Sequence, residues 1–399
     1  MDEAIMVTRP HATSLPPVPA SLAIATAILW LSMPGVAKDM ITYLIPWYDH
    51  VVATGPVAAF AEPFSGYTPP YLYLLAALSL FNGLVSTMVQ IKLLSLAGTV
   101  GLALAVRHLL MRLDVSQPER AAALVFAMPS VLLNTALLGQ CDAMWATPCV
   151  MALAAAVDRR HTAMLAWCGL ALAFKAQAIL IAPFFLALLI QRRVPFARWL
   201  IAPATFMVAL LPAWAIGSPV SDLATAYFGQ ADTFPALSVN APNIWEVLQA
   251  LPIGLPLAGL AAAAAIGATA AYLARFSTLF LGHRALLSVA LLAPLMLTGL
   301  LPFMHESCFF LADVLAFVLA ATYRDKSSVT IAILVQSGST LALLGSLSGL
   351  TGFVMLGAAA MIVATIRLAG PLLQPAANDN PLMARQIGRS KLHRNGNLW

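Results

Sequence analysis

Residues 158–193 read DRRHTAMLAWCGLALAFKAQAILIAPFFLALLIQRR, and this stretch decides how the chain crosses a membrane. One continuous helix here would place Arg159 and Arg160 on the opposite side of the bilayer from Arg192 and Arg193. Basic residues near helix ends are retained on the cytoplasmic side. We therefore expect a hairpin with both arginine pairs inside, and its outer tip at Lys175 and nearby Gln177.

The composition of the whole chain is that of a polytopic membrane protein. Hydrophobic residues make up 61% of the 399 residues and charged residues 9%, whereas a soluble domain has about 25% charged residues. We predict an all-α bundle of about 12 transmembrane helices, several of them shorter than the roughly 20 residues of a perpendicular span. The apolar runs are 17–36, 91–113, 121–138, 143–157, 162–174, 178–190, 199–217, 252–274, 285–302, 307–322, 329–347 and 350–366.

The basic residues fix the orientation of these spans. Of 21 Lys and Arg residues, all but Lys38, Lys92 and Lys175 fall in the termini or in the connections that twelve spans place on the cytoplasmic side. We expect a cytoplasmic N-terminus (1–16), a membrane domain (17–368) with outer loops at 37–90 and 218–251, and a cytoplasmic tail (369–399) in the cell (inner) membrane. The net charge of +5 then reflects topology and anionic lipid, and no nucleic-acid partner is needed.

The apolar run 71–84 does not fit as a span. A crossing there would move the basic residues 107–120 to the outside. We therefore predict a juxtamembrane helix against the outer leaflet, begun by Pro69 and Pro70 and ended by Asn82 and Gly83.

Chemically active side chains collect on the outer face in six short motifs. In chain order they are Asp39 after the first span, Y-T-P-P-Y at 67–71, G-Q-C-D at 139–142, F-K-A-Q at 174–177, N-A-P-N-I-W at 240–245 and M-H-E at 304–306. Each motif alone has little specificity, but six in this order on one face form a fairly specific pattern.

This pattern resembles the GT-C superfamily of integral-membrane glycosyltransferases, and in particular the mannosyltransferase-like branch that uses polyprenyl-phosphate sugars. The resemblance covers about residues 20–325. It implies inverting transfer of a hexose, with mannose favoured, to a glycolipid, polysaccharide or protein acceptor at a periplasmic or exoplasmic site. Relatives often continue M-H-E with Arg-Tyr, whereas this chain has Ser307 and Cys308, so the donor sugar stays open.

The resemblance implies that Asp39 is the general base, because its position matches that of the catalytic Asp of these enzymes. A carboxylate that accepts the acceptor proton, and cations that stabilise the departing phosphate, are what such a transfer needs. Lys175, His305 and Lys92 are the candidate phosphate partners. The alternatives are a solvated or helix-capping role for Asp39, packing for His305, and snorkelling or interfacial anchoring for the two lysines.

The remaining polar and aromatic groups are candidates for sugar or acceptor binding: Gln140, Asp142, Gln177, Glu306, Tyr67, Tyr71, Asn240, Asn243 and Trp245. Helix capping is the alternative for Asp142. A turn built on Asn and Pro is an equal alternative for the segment 240–245. We expect no cofactor, and no metal, because Asp39 is followed by Met40 and Ile41 and forms no D-x-D motif.

Two other classes of protein share a dozen spans. A secondary transporter or lipid-linked sugar flippase would have broken helices or inverted repeats with ionisable groups near the membrane midplane, whereas here the polar groups gather toward one face. A non-catalytic glycan-binding subunit would keep the topology and tolerate the loss of Asp39.

Overall fold

The computed structural model describes residues 35–219, 236–252 and 256–374, and this part of the chain is almost entirely helical. The expected cytoplasmic N-terminus, most of the first apolar run, part of the outer loop 218–251 and the tail from 375 onward lie outside the described residues.

The first half of the fold places two short helices before the first long one. A π-helical turn at Met40–Leu44 leads into α1. The helices are α1 (Ile45–Thr54), α2 (Pro69–Ser79), α3 (Thr87–Arg112), α4 (Pro118–Leu124), α5 (Pro129–Leu132), α6 (Asp142–Val157), α7 (His161–Phe174) and α8 (Ala182–Gln191). A π-helical segment, Leu133–Leu138, continues α5, and a 3-10 segment, Ala176–Ile181, precedes α8.

The second half contains the longer helices and one small pair of strands. The helices are α9 (Phe196–Trp199), α10 (Ile201–Ile216), α11 (Ile244–Gln249), α12 (Leu257–Phe276), α13 (His283–Leu300), α14 (Phe310–Tyr323), α15 (Lys326–Ser348) and α16 (Thr351–Leu373). Strands β1 (Ser238–Val239) and β2 (Met304–His305) pair in parallel.

Within the described residues, seven helices are long and apolar enough to cross a membrane. An eighth crossing is formed if the bent pair Pro118–Ala127 and Pro129–Leu138 counts as one span, and three shorter apolar helices lie at Asp142–Val157, His161–Phe174 and Ala176–Gln191. The predicted all-α membrane bundle is confirmed. The number twelve stays a prediction, because the run 17–36 lies almost wholly outside the described residues.

The run 71–84 forms a short helix, as predicted. Helix α2 has 11 residues, about 16 Å at 1.5 Å per residue, which is too short for a hydrocarbon core of about 30 Å. It begins at Pro69 as expected and ends at Ser79, a little before Asn82 and Gly83. The Thr68 hydroxyl donates to the Ala173 carbonyl oxygen at 2.5 Å, which ties the start of α2 to the end of α7.

The stretch that decides the topology breaks at Lys175, as the arginine pairs predict. Helix α7 stops at Phe174, Lys175 is extended (φ −159°, ψ 140°), and the chain re-enters a helical conformation at Ala176. Helix α7 has 14 residues, about 21 Å, so it is shorter than the hydrocarbon core. Helix α7 also packs closely against α10 at Gly169. A Cβ at this position would lie 2.2 Å from the Ala202 carbonyl oxygen.

Candidate active site

A glycine turn brings the G-Q-C-D motif against the segment that carries Asp39. Gly139 has φ +62°, and a Cβ there would lie 2.4 Å from the Met40 side chain. The left-handed backbone at this position favours glycine, and a side chain there would have to displace the end of the Met40 side chain. The Gln140 Nε2 atom then donates to Asp39 Oδ2 at 3.4 Å, so two motifs 101 residues apart in sequence meet at Asp39, whose side chain is exposed.

Asp142 accepts three hydrogen bonds in the interior. Its Oδ1 accepts from Lys175 Nζ at 2.7 Å and from Trp145 Nε1 at 2.9 Å, and its Oδ2 accepts from Asn134 Nδ2 at 2.7 Å. Asp142 is 1% exposed and Lys175 4%. A buried ion pair persists only when further hydrogen bonds satisfy its charges. The carboxylate therefore holds Lys175 in place rather than capping α6, whose first residue it is.

Sequence reasoning missed Asn134 and Trp145. Trp145 lies three residues after Asp142 on the same helix, a spacing that places two side chains on one face, so this contact had a readable signal. Asn134 reaches Asp142 because residues 133–138 adopt a π-helical conformation. We found no sequence signal for that conformation.

Tyr67 links Lys175 to Gln140. The Lys175 Nζ atom lies 5.4 Å from the centroid of the Tyr67 ring, within the range of a cation–π contact. The Tyr67 hydroxyl donates to Gln140 Oε1 at 3.3 Å. Tyr71, one turn into α2, packs edge-on against Tyr67 at 5.5 Å between centroids. The chain Asp39–Gln140–Tyr67–Lys175 is therefore continuous.

His305 lies beside Gln177 and close enough to Lys175 to interact with its charge. The distance from His305 Nε2 to Gln177 Nε2 is 3.2 Å, and that from His305 Nδ1 to Ser307 Oγ is 2.9 Å. Burial and the nearby Lys175 ammonium lower the pKa of His305 to about 4, although Asp142 opposes the shift. These effects favour the neutral imidazole, and the role of His305 at the phosphate stays a prediction.

The N-A-P-N-I-W segment is held by backbone contacts, in agreement with the turn interpretation. Asn243 caps α11 through a bond from Glu246 N to its Oδ1 at 3.0 Å, and Trp245 Nε1 donates to the Leu300 carbonyl oxygen at 2.7 Å. Asn240 (φ +55°) forms a β-bridge with His305. The segment thus positions His305, and sugar binding by Asn240, Asn243 and Trp245 stays a prediction.

The remaining candidates lie at the edges of this cluster. Glu306 is close enough to Asp39 and Asp142 to interact with both charges, and its Oε1 accepts from Ser346 Oγ at 3.4 Å. Lys92 is 1% exposed, and its Nζ donates to the Gly35 carbonyl oxygen at 2.5 Å. Its role at the phosphate stays a prediction.

Within the described ranges, no group of three or more His, Cys, Asp or Glu residues is arranged to hold a metal ion. The expectation of metal independence is an untested prediction.

Comparisons with known proteins agree with the motifs and the fold. Residues 48–191 match the family model for the N-terminal domain of alpha-(1->6)-mannopyranosyltransferase. The fold is similar to the crystal structure of ArnT from Cupriavidus metallidurans bound to undecaprenyl phosphate, with a TM-score of 0.51 and 16% sequence identity. That similarity covers 89% of this chain and 77% of ArnT. No curated protein matches the chain.

The family match over residues 48–191 favours the glycosyltransferase interpretation over the transporter. The chain is a multi-pass membrane protein with a fold similar to that of ArnT, and its residues 48–191 are similar to the N-terminal domain of alpha-(1->6)-mannopyranosyltransferase.

Proposed function

We propose that the protein transfers a hexose, with mannose favoured, from a polyprenyl-phosphate donor to a lipid, polysaccharide or protein acceptor at the outer face of the membrane. The mannosyltransferase family model supports the sugar, and the undecaprenyl phosphate bound by ArnT supports the lipid carrier.

The observation that carries this proposal is an apolar groove lined by residues on both sides of the helix break at Lys175, although Lys175 itself does not line it. The groove has a volume of about 450 Å³, and nearly all of its lining is apolar. Its walls include Ala171 and Ala178, which flank Lys175 in sequence, and Ile179, which is 51% exposed. A polyprenyl chain in the groove would deliver its phosphate to the end of α7, where Lys175 lies.

Lys175 and His305 then act on the leaving phosphate. A phosphodiester donor carries one negative charge, and the released polyprenyl phosphate carries up to two, so negative charge grows as the anomeric C–O bond breaks. Cations that stabilise that growth lower the barrier. Lys175 has three N–H donors, of which Asp142 takes one. His305 is neutral beforehand and gains a proton more readily once an anion lies beside it.

Asp39 acts on the acceptor. The acceptor O–H proton moves to the Asp39 carboxylate, the hydroxyl oxygen bonds to the anomeric carbon from the face opposite the phosphate, and the phosphate leaves with the bonding electron pair. The contact from Gln140 orients the carboxylate. Glu306, the second acid near Asp39, is suited to accept hydrogen bonds from sugar hydroxyls.

The test is donor competition with the full chain in nanodiscs, supplied with a total lipid extract as acceptor source. Radiolabelled polyprenyl-phosphate mannose, polyprenyl-phosphate glucose and a mannose nucleotide are offered separately. We expect transfer from polyprenyl-phosphate mannose alone. Transfer from the glucose lipid would overturn the sugar assignment, and transfer from the nucleotide, or from none of the three, would overturn the donor class.

A further inference from the structure

A second cavity lies at the other end of α7 from Lys175. It has a volume of about 290 Å³ and contains the first residue of that helix. Its lining residues are Arg159, His161, Leu188, Gln191, Arg192, Phe280 and Leu281. None of these residues has a role in the transfer reaction proposed above.

Among the described residues, the side chains that line this cavity include two arginines and no acid. Arg159 and Arg192 line it, and Arg198 is close enough to interact electrostatically with His161. Among the described residues, no carboxylate lines the cavity. The neighbouring acid, Asp158, faces Arg112 instead, at 3.4 Å. Like charges held together repel, so this arrangement is stabilised when an anion enters.

Several hydrogen-bond donors are already placed for such an anion. The Nε2 atom of His161 is buried and has no hydrogen-bond partner among the described residues. His161 also begins a helix of 14 residues, and its N-cap, Arg160, makes no side-chain capping bond. The positive end of the helix dipole and its first backbone N–H groups therefore face the same region.

Arg192 is fixed toward the cavity rather than extended into solvent. Its Nη1 donates to the Ala156 carbonyl oxygen at 2.8 Å, and its side chain is half-buried. Burial and the nearby Arg159 lower the pKa of the Arg192 guanidinium. The guanidinium groups of Arg192 and Arg159 repel each other, and an anionic ligand between them would reduce that repulsion.

The wall of the cavity also has apolar surface of the kind that meets a bilayer. Phe280 is 80% exposed and lies 5.6 Å from the Arg159 guanidinium carbon. Phe196, at the start of α9, is 78% exposed. Exposed apolar side chains beside arginines suit a membrane surface, where the apolar groups enter the acyl boundary and the basic groups meet anionic headgroups.

We propose that this cavity binds a phosphate group, supplied by the headgroup of an anionic lipid in the cytoplasmic leaflet. Arg159 and Arg192 pair with the phosphate oxygens, His161 Nε2 donates to it, and Phe280 contacts the glycerol and upper acyl region. Arginine pairs suit phosphate because the planar guanidinium can donate two parallel hydrogen bonds.

The chain supplies a matched control for general surface charge. Arg160 and Arg193 are immediate sequence neighbours of Arg159 and Arg192, both are exposed, and neither lines the cavity. Each pair also contains one residue in the left-handed region, Arg159 (φ +57°) or Arg193 (φ +51°). The double variants Arg159→Gln/Arg192→Gln and Arg160→Gln/Arg193→Gln therefore remove the same charge with similar backbone consequences.

The experiment uses the full chain, delipidated in neutral detergent, and measures thermal shift and native mass spectra. Inorganic phosphate, phosphatidylglycerol and phosphatidylcholine are titrated separately. We expect phosphatidylglycerol to bind the wild type in preference to phosphatidylcholine. The cavity double variant should bind phosphatidylglycerol at least about tenfold more weakly, since each lost charged hydrogen bond is worth about 1.5–3 kcal/mol. The control double variant should stay within about twofold of the wild type.

Three results would overturn the proposal. If both double variants weaken binding equally, the effect is general surface charge. If the wild type binds neither inorganic phosphate nor phosphatidylglycerol more tightly than the zwitterionic phosphatidylcholine, the cavity has no preference for an anionic ligand. Binding of inorganic phosphate without phosphatidylglycerol would overturn the lipid as the source. Should the cavity double variant fail to fold, His161→Leu keeps both arginines and is expected to weaken binding several-fold, and no weakening there would contradict the geometry.

Discussion

The two ends of helix α7 carry cations in opposite circumstances. At its C-terminal end, the Lys175 ammonium lies 2.7 Å from the buried Asp142 carboxylate. At its N-terminal end, His161 has Arg159, Arg192 and Arg198 around it, and among the described residues no carboxylate lines the cavity. The Lys175 cation is held in position before any ligand arrives, whereas the arginines repel one another until an anion joins them.

This difference agrees with the two proposed roles, a reaction site at Lys175 and a binding site at His161. A transition state is stabilised best by charges that are already oriented, because reorientation during the reaction has a cost. The hydrogen bonds from Asn134 and Trp145 to Asp142 supply that orientation for Lys175. A site whose only task is to retain an anion gains most from uncompensated positive charge.

The largest change expected comes from a variant that makes the C-terminal end of α7 resemble its N-terminal end. Asp142→Asn removes the acid and leaves Lys175 buried without its counter-ion. Breaking a buried pair typically has a cost of about 3–5 kcal/mol, so we expect a large fall in the Tm of the detergent-solubilised protein. Glu119→Gln is the control, because Glu119 lies 2.9 Å from Arg107 in an exposed pair.

The Tm of Glu119→Gln should equal that of the wild type. Equal melting temperatures for Asp142→Asn and the wild type would mean that the buried pair does not stabilise the fold around Lys175.

A smaller change removes one hydrogen bond to the same carboxylate. Trp145→Phe keeps the aromatic volume and loses the Nε1 donor to Asp142 Oδ1. We expect a loss of about 1.5–3 kcal/mol, the usual value for a hydrogen bond to a charged group, measured as a change in Tm. In the Asp142→Asn background the same change should have a smaller effect. An equal effect in both backgrounds would show that the indole acts through packing alone.

The pH dependence of stability tests whether the pKa of His305 is lowered in the folded chain. Its pKa is lowered to about 4, below the value of about 6.5 in an unfolded chain. The unfolded chain therefore binds more protons between these values, so stability is full above pH 6.5 and is lost as the pH falls toward 4. We expect the Tm of the wild type to fall over this range more steeply than that of His305→Gln. Parallel Tm curves would contradict a neutral His305.

The smallest expected effect concerns the link between Lys175 and Gln140. Tyr67→Phe removes the 3.3 Å contact to Gln140 and keeps the ring that faces Lys175. We expect the transfer rate to fall by about two- to fivefold, as for a hydrogen bond worth about 0.5–1 kcal/mol. Tyr67→Leu removes the ring as well and should have a larger effect. Equal transfer rates for Tyr67→Phe and Tyr67→Leu would show that the contact between the ring and Lys175 does not contribute to the rate.

The helix break at Lys175, the short helix α2 and the contact between Asp39 and Gln140 were predictable, because apolar runs and the positions of basic residues can be read directly from the sequence. The arginine pairs at 159–160 and 192–193 predicted the break at Lys175, and the positive-inside rule predicted that α2 is not a span. The meeting of Asp39 with Gln140 followed from placing the motifs on one face. These inferences need only the side of the membrane on which each connection lies.

Contacts that depend on tertiary packing were not predictable. Asn134 bonds Asp142 through a π-helical segment that its sequence does not indicate. The protonation of His305 depends on its burial and on its distance from Lys175, which are properties of the folded chain. Asn243 and Trp245 form hydrogen bonds with backbone groups of α11 and α13. Both residue types also suit sugar binding, so the sequence could not distinguish the two roles.

The role of Asp39 as general base is tested by the initial rate of sugar transfer for Asp39→Asn beside Asp49→Asn. Both acids are exposed and lie in the same segment before and within α1, but Asp39 is the one that Gln140 contacts. General-base catalysis contributes about 10²–10⁴-fold, so we predict a loss of that size for Asp39→Asn, with unchanged Tm and donor binding, and a wild-type rate for Asp49→Asn. A rate for Asp39→Asn within a few-fold of the wild type would contradict Asp39 as the base.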